Sequence, residues 1–167
     1  MTQKEEVRDK KQVFIGSAVT HVPDVFFEEY KELIVELSKL LETKYLCKAK
    51  HSLKKDDSRL SYIEKHKTAA DCYKKCVEDI KASKLMIAEI SFPSIGLGQE
   101  IEIASQNKIP IIVLFKDYFG REPQGELIVS RMALGNPLVV HQIKYKTTKE
   151  AIGELESILE SRPHYLQ

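Results

Sequence analysis

The sequence is poor in whatever would staple a small fold together or draw it to a charged polymer. Its three cysteines, Cys47, Cys72 and Cys76, are an odd count that gives no disulfide framework and suits a reducing compartment. The 26 Lys and Arg against 25 Asp and Glu leave a formal charge of +1. No global field therefore attracts nucleic acid or an acidic membrane, and any anion must be bound locally. No apolar run reaches transmembrane length, and the opening MTQKEEVRDKKQ is charged where a signal peptide needs an apolar core, so a cytoplasmic protein is the expectation. Internal repeats and low-complexity segments are missing too.

What is present suits one soluble domain. A chain of 167 residues can bury a substantial core, and 43% hydrophobic residues are too many for general disorder. We expect a loose polar arm over residues 1–11 and a single domain over 12–163. Strand patterns VFIGSA, KYLCKA, KLMIAEI, IPIIVLF and PLVVHQIKY alternate with helical ones. The first helix follows Pro23, with Asp24 as a plausible cap and Phe27, Tyr30, Ile34, Leu37 and Leu41 at helical spacing. The last has Thr147 or Thr148 as cap, and the segment 126–134 reads as a short helix. Several strands are apolar throughout, as strands covered on both faces must be. The expectation is an α/β, doubly wound, Rossmann- or flavodoxin-like five-stranded parallel sheet with helices on both faces.

In such sheets ligands bind beyond the carboxyl ends of the strands. Two loops qualify: Gly16 and Ser17 after the first strand, and SFPSIGLG after the third. The second belongs to AEISFPSIGLGQEIEIA, residues 88–104, a strand pattern broken by Pro93, Gly96 and Gly98 that delivers Glu100 to an expected helix start at Gln99. A carboxylate there could serve only the helix dipole. It could also stand by an anomeric carbon, since breaking an N-glycosidic bond needs a carboxylate as nucleophile or as stabiliser of an oxocarbenium-like centre. Gly96 and Gly98 let the backbone approach a ligand, and Ser94 offers a hydroxyl to an anion. Cys72 and Cys76 are four apart on a predicted helix, yet no second Cys or His pair has ligand spacing, so packing is the reading and neither metal nor organic cofactor is expected. The same side of that helix carries Tyr73, expected against the sheet.

The ordered string Ala88, Glu89, Pro93, Ser94, Gly96, Gly98, Glu100 is similar to the signature of the nucleoside 2-deoxyribosyltransferase-like superfamily. It resembles most the branch of 2'-deoxynucleoside 5'-phosphate N-hydrolases. VFIGSA and the helix before the third strand resemble their counterparts as well. The resemblance implies Glu100 as the catalytic carboxylate and Gly16, Ser17, Ser94, Gly96 and Gly98 around the sugar phosphate. Transferases acting on free nucleosides carry an acidic residue near the position of Ser94, and a carboxylate there would repel a phosphate, so Ser94 tilts the substrate toward a nucleoside 5'-monophosphate.

Two departures stand against this. The family's leaving-group Asp falls, without gaps, on Cys76, and a thiol is a poor substitute for a carboxylic acid. Asp79 lies three residues on and points elsewhere unless the register shifts. The first loop, GSAVTHVPD, also lacks the family's arginine, with Thr20 and His21 as the nearest polar replacements. The expectation is an N-glycosidase of (deoxy)nucleoside 5'-monophosphates working as a homodimer, with the segment 123–133 helping to complete a neighbour's site. Ser130 lies near the family's serine position there, but the ungapped register does not put it on that position. The alternatives are a nucleoside deoxyribosyltransferase, a noncatalytic nucleotide-binding or sensing module, and more distantly cleavage of a dinucleotide such as NAD.

Overall fold

The computed structural model describes residues 11–53, 68–124 and 128–167. The expected arm, most of the Lys-rich loop after the second strand and the start of the 126–134 segment lie outside the described residues. The elements run β1 (Gln12–Ser17), α1 (Asp24–Thr43), β2 (Lys48–Lys50), α2 (Ala69–Lys81), β3 (Ser83–Glu89), α3 (Ile95–Gln106), β4 (Ile111–Phe115), α4 (Arg131–Leu134), β5 (Val139–Lys144) and α5 (Thr148–Ser161). Single 3-10 turns cover Glu122–Gln124 and Pro163–Leu166. All strand pairs are parallel, in the order β2-β1-β3-β4-β5. This is the doubly wound sheet the alternating pattern implies, and its order reverses between β1 and β3.

The pleat of these strands builds two cores. Val13, Ile15, Leu85 and Ile87 face α1 and α5, whose Tyr30, Leu33, Leu37, Leu155 and Leu159 close one layer. Phe14, Met86 and Ala88 face the other way, onto Ile80 of α2 and Leu97, Ile101 and Ala104 of α3. Both faces of β3 and β4 are thus buried, which is why their sequences show no polar alternation. Leu166, in the last turn, is buried with the first core.

Two helix starts differ from expectation. Pro23, not Asp24, holds the N-cap position of α1, and it makes no side-chain cap hydrogen bond. The proline ring fixes φ at −58° with ψ at 144°, which turns the chain into the helix without a capping hydroxyl. The third helix starts at Ile95, a full turn before the expected Gln99, because Ser94 Oγ accepts from Leu97 N at 3.2 Å and caps it. Gly96 and Gly98 are therefore helical residues, and Glu100 lies in the second turn of α3. The dipole reading of Glu100 loses its basis with that change, since the effect fades within the first turn.

Candidate active site

The second turn of α3 lies over the end of β1, and Gly16 makes this possible. A Cβ at Gly16 would stand 2.7 Å from Met86 Cε, 2.8 Å from Leu97 Cδ1 and 3.0 Å from Glu100 Oε2. Any side chain here would push the helix or the carboxylate away. Glu100 Oε1 accepts from Cys76 Sγ at 3.3 Å, while Oε2 is buried with no hydrogen-bond partner among the described residues. Burial raises the Glu100 pKa to about 7, and the hydrogen bond from Cys76 opposes that rise. Burial, followed by the neighbouring Glu100 charge, holds the Cys76 thiol far above its usual range. Gly16, Cys76 and Glu100 therefore form one cluster from three elements.

The remaining expected residues are distributed around it. Asp79 sits one turn along α2 from Cys76, but its carboxylate bonds Lys75 Nζ at 2.7 Å and pairs with Lys50 Nζ at 3.7 Å. Its backbone carbonyl accepts from Gln12 Nε2 at 2.6 Å and Ser83 Oγ at 2.7 Å, so the residue ties α2 to the start of the sheet. Ser17 follows Gly16 and by strand alternation belongs to the opposite face, in register with Glu89; its Oγ is buried without a partner among the described residues. Ser94 is committed as the cap of α3. Ser130 caps α4, accepting from Ala133 N at 3.4 Å, and is exposed, as are Thr20 and His21. Tyr73, expected against the sheet, is 60% exposed, because the buried side of α2 runs through Cys76 and Ile80.

A cavity of about 780 Å³ lies beside α3, lined by Phe92, Pro93, Ser94, Gly98, Ile101 and Glu102, and across from them by Val129 and Met132. Gly98 and Glu102 each stand two residues from Glu100, and two residues are about 200° of helix rotation. Gly98 and Glu102 therefore face away from the Glu100 carboxylate, while Leu97, which also lines the cavity, lies beside Glu100 against Gly16.

The structure holds a second buried carboxylate, to which the sequence pattern assigns no role. Glu89 ends β3 fully buried. Tyr145 OH donates to its Oε1 at 2.9 Å and Ser91 N to its Oε2 at 3.3 Å, with a further bond from Ser91 Oγ. Ser91 Oγ in turn accepts from Lys116 N at 2.8 Å, and Tyr30 OH bridges Ala18 N and the Glu89 carbonyl at 2.8 and 3.4 Å. The network joins the ends of β1, β3, β4 and β5 to α1. Burial lifts the Glu89 pKa to about 7 against these donors, which lower it. The available signal was a carboxylate closing a strand that is apolar on both faces.

No protein-family model matches the chain. It is 31% identical over 99 residues to a Methanosarcina mazei protein named "Putative 2'-deoxynucleoside 5'-phosphate N-hydrolase 1", covering 59% of this chain and 56% of that one. It is 36% identical over 80 residues to a Syntrophotalea carbinolica protein of the same name, covering 48% and 51%. The resemblance to the nucleoside 2-deoxyribosyltransferase-like superfamily holds. The chain aligns with only about half the length of these curated relatives of the superfamily. Among solved structures, a CMP N-glycosidase of Clostridium botulinum is similar in fold, with a TM-score of 0.59 and 23% identity over 89% of this chain and 100% of that one. A conserved protein of Enterococcus faecalis gives 0.57 and 12%, over 90% and 99%. At these identities the two structures speak for the fold.

Proposed function

We propose that the protein hydrolyses the base–sugar bond of a nucleoside 5'-monophosphate, with Glu100 at the anomeric carbon. The observation that carries this reading is the Glu100 carboxylate, buried, with one oxygen bonded to Cys76 and the other unpartnered among the described residues. The names of the sequence relatives favour the same chemistry. In the reaction the C1'–N bond breaks and its electron pair leaves with the base. The Glu100 carboxylate attacks C1' or stabilises its positive charge, and water then supplies the hydroxyl to C1' and a proton to the base. The products are free base and sugar phosphate, with no cofactor.

The phosphate has a natural place at the start of α3. Leu97 N is taken by Ser94 Oγ and Gly98 N by the Ser94 carbonyl, which leaves the amides of Ile95 and Gly96 to meet an anion. Ser17 belongs to the opposite face of β1 with its Oγ buried, so it stands outside this place. Gly16 serves the close approach of Glu100 rather than the phosphate itself. A homodimer belongs to the same reading: Ile95 and Met132, both apolar, are 84% and 87% exposed beside the cavity along α3.

The test is release of free base and sugar phosphate from a panel of nucleoside 5'-monophosphates, ribose and deoxyribose, followed by chromatography. Glu100→Gln should lower turnover by roughly a thousandfold or more. An acceptor base that captures the sugar would make the protein a transferase instead. A nucleotide that binds without being cleaved would make it a sensing module, the reading that the thiol beside Glu100 favours.

A further inference from the structure

The reaction proposed for Glu100 leaves the thiol beside it without a task. We propose that Cys76 is a positioning residue: its S–H donates to Glu100 Oε1 and so fixes the plane of the carboxylate that acts at the anomeric carbon. This rests on the reading of Glu100 as the reacting carboxylate.

The two oxygens of a free carboxylate are equivalent, and the last torsion of a glutamate side chain is broad. Here they are made different. Oε1 lies 3.3 Å from Cys76 Sγ, within reach of a sulfur donor. Oε2 lies against the end of β1, where a Cβ on Gly16 would come within 3.0 Å of it. The carboxylate is thus pinned between a thiol on α2 and bare backbone on β1, with Met86 and Leu97 as apolar walls. Exchanging the oxygens would change nothing chemically, but rotating the plane would lose the thiol bond and press an oxygen into those walls.

The thiol is suited to donating and to little else. Burial and the neighbouring Glu100 charge keep it protonated, so it neither attacks a substrate nor hands its proton to a departing base. The other ionisable groups near it on α2 are Cys72 and Asp79. Asp79 is committed to Lys75 and Lys50. Around the Gly16 position, on the other side of the carboxylate, stand Met86 and Leu97, neither of which titrates. Cys76 is therefore the one side chain bonded to Glu100 among the described residues. A carboxylate in its place would add a like charge and push the Glu100 pKa further up, whereas a neutral donor steadies the ionised form.

The experiment compares Cys76→Val, which keeps the bulk and removes the donor, with Cys76→Ser, which restores one. The readout is the pH profile of turnover on a nucleoside 5'-monophosphate that the wild-type protein cleaves. In Cys76→Val the acid limb should move up by about half to one pH unit, because a donor to the charged form is lost. Its kcat should fall roughly tenfold while KM changes by less than about twofold. Cys76→Ser should bring the limb back and recover most of the rate. The Glu100 carboxyl titration, followed by carbon-13 NMR in the same variants, should show the same upward shift in Cys76→Val with or without substrate. An unmoved limb and an unmoved carboxyl titration in Cys76→Val overturn the proposal, as does an equal loss in both variants that tracks a lowered melting temperature. If Glu100→Gln abolishes turnover while Cys76→Val changes nothing, only the role of Cys76 falls. Undiminished turnover in Glu100→Gln overturns both readings.

Discussion

A buried carboxyl group that ionises only near pH 7 favours the folded state while it holds its proton. Glu89 and Glu100 are both raised in this way, chiefly by burial. Below the ordinary carboxyl range both folded and unfolded chains are protonated and the contribution is complete. As pH rises from there toward 7 the unfolded chain gives up its protons first, so stability falls through that window. For Glu89 the rise from 4.5 to about 7 corresponds to about 3 kcal/mol at most. The melting temperature of the wild-type protein should therefore drop between pH 5 and pH 7.5. Glu89→Gln, which keeps an acceptor for Tyr145, should flatten part of that slope, and adding Glu100→Gln should flatten more. A slope unchanged in Glu89→Gln would remove Glu89 from the account. If Glu100 acts as proposed, it must be ionised, so turnover should run the other way, with an acid limb near pH 7. Little of this was legible in sequence: Glu89 depends on Tyr30, Ser91 and Tyr145, which lie on separate elements, and no local pattern links them.

At the scale of elements, four strands were readable, but two helix starts were not. The strand expected over KYLCKA is displaced to β2 at Lys48–Lys50 because residues 44–47 close α1, with Lys44 N and Cys47 N bonding back to the Leu40 and Leu41 carbonyls. The apolar runs of β3 and β4 announce burial on both faces, and α1 shows its buried stripe at helical spacing. Proline and two glycines in SFPSIGLG read as turn chemistry, yet the Ser94 cap is enough to begin the helix among them. Ser94→Ala should cost about 1 kcal/mol of stability through the lost cap, measured by thermal or denaturant melting. If Ser94 also meets phosphate, KM for the nucleotide should rise beyond what that loss explains. Gly16→Ala is the harsher change at the same edge, because the new methyl would collide with Met86, Leu97 and Glu100. It should destabilise by roughly 1–3 kcal/mol and depress kcat. Cys76 at the expected Asp position was visible in the sequence, while its hydrogen bond to Glu100 required the packing of α2 against α3.

For the whole molecule, the strand order divides the work between two layers. The layer of α1 and α5 holds the larger core and the Glu89 network, and the layer of α2 and α3 holds Glu100. The flank of α3 that faces α4 borders the cavity, with Ile95 exposed on α3 and Met132 exposed on α4. If that flank is where two copies meet, light scattering should give twice the chain mass, and Met132→Glu should yield a monomer with an unchanged circular dichroism spectrum. A wild-type monomer at micromolar concentration would remove the homodimer from the reading. The seating of Glu100 bears on how such a protein can diverge. Glu100, the proposed reacting group, rides on a helix pressed against bare strand backbone, so mutations that would shift it meet immediate steric cost. New substrate preferences should therefore accumulate in the surrounding walls, and descendants of this chain should differ in what they accept long before they differ in where they cut.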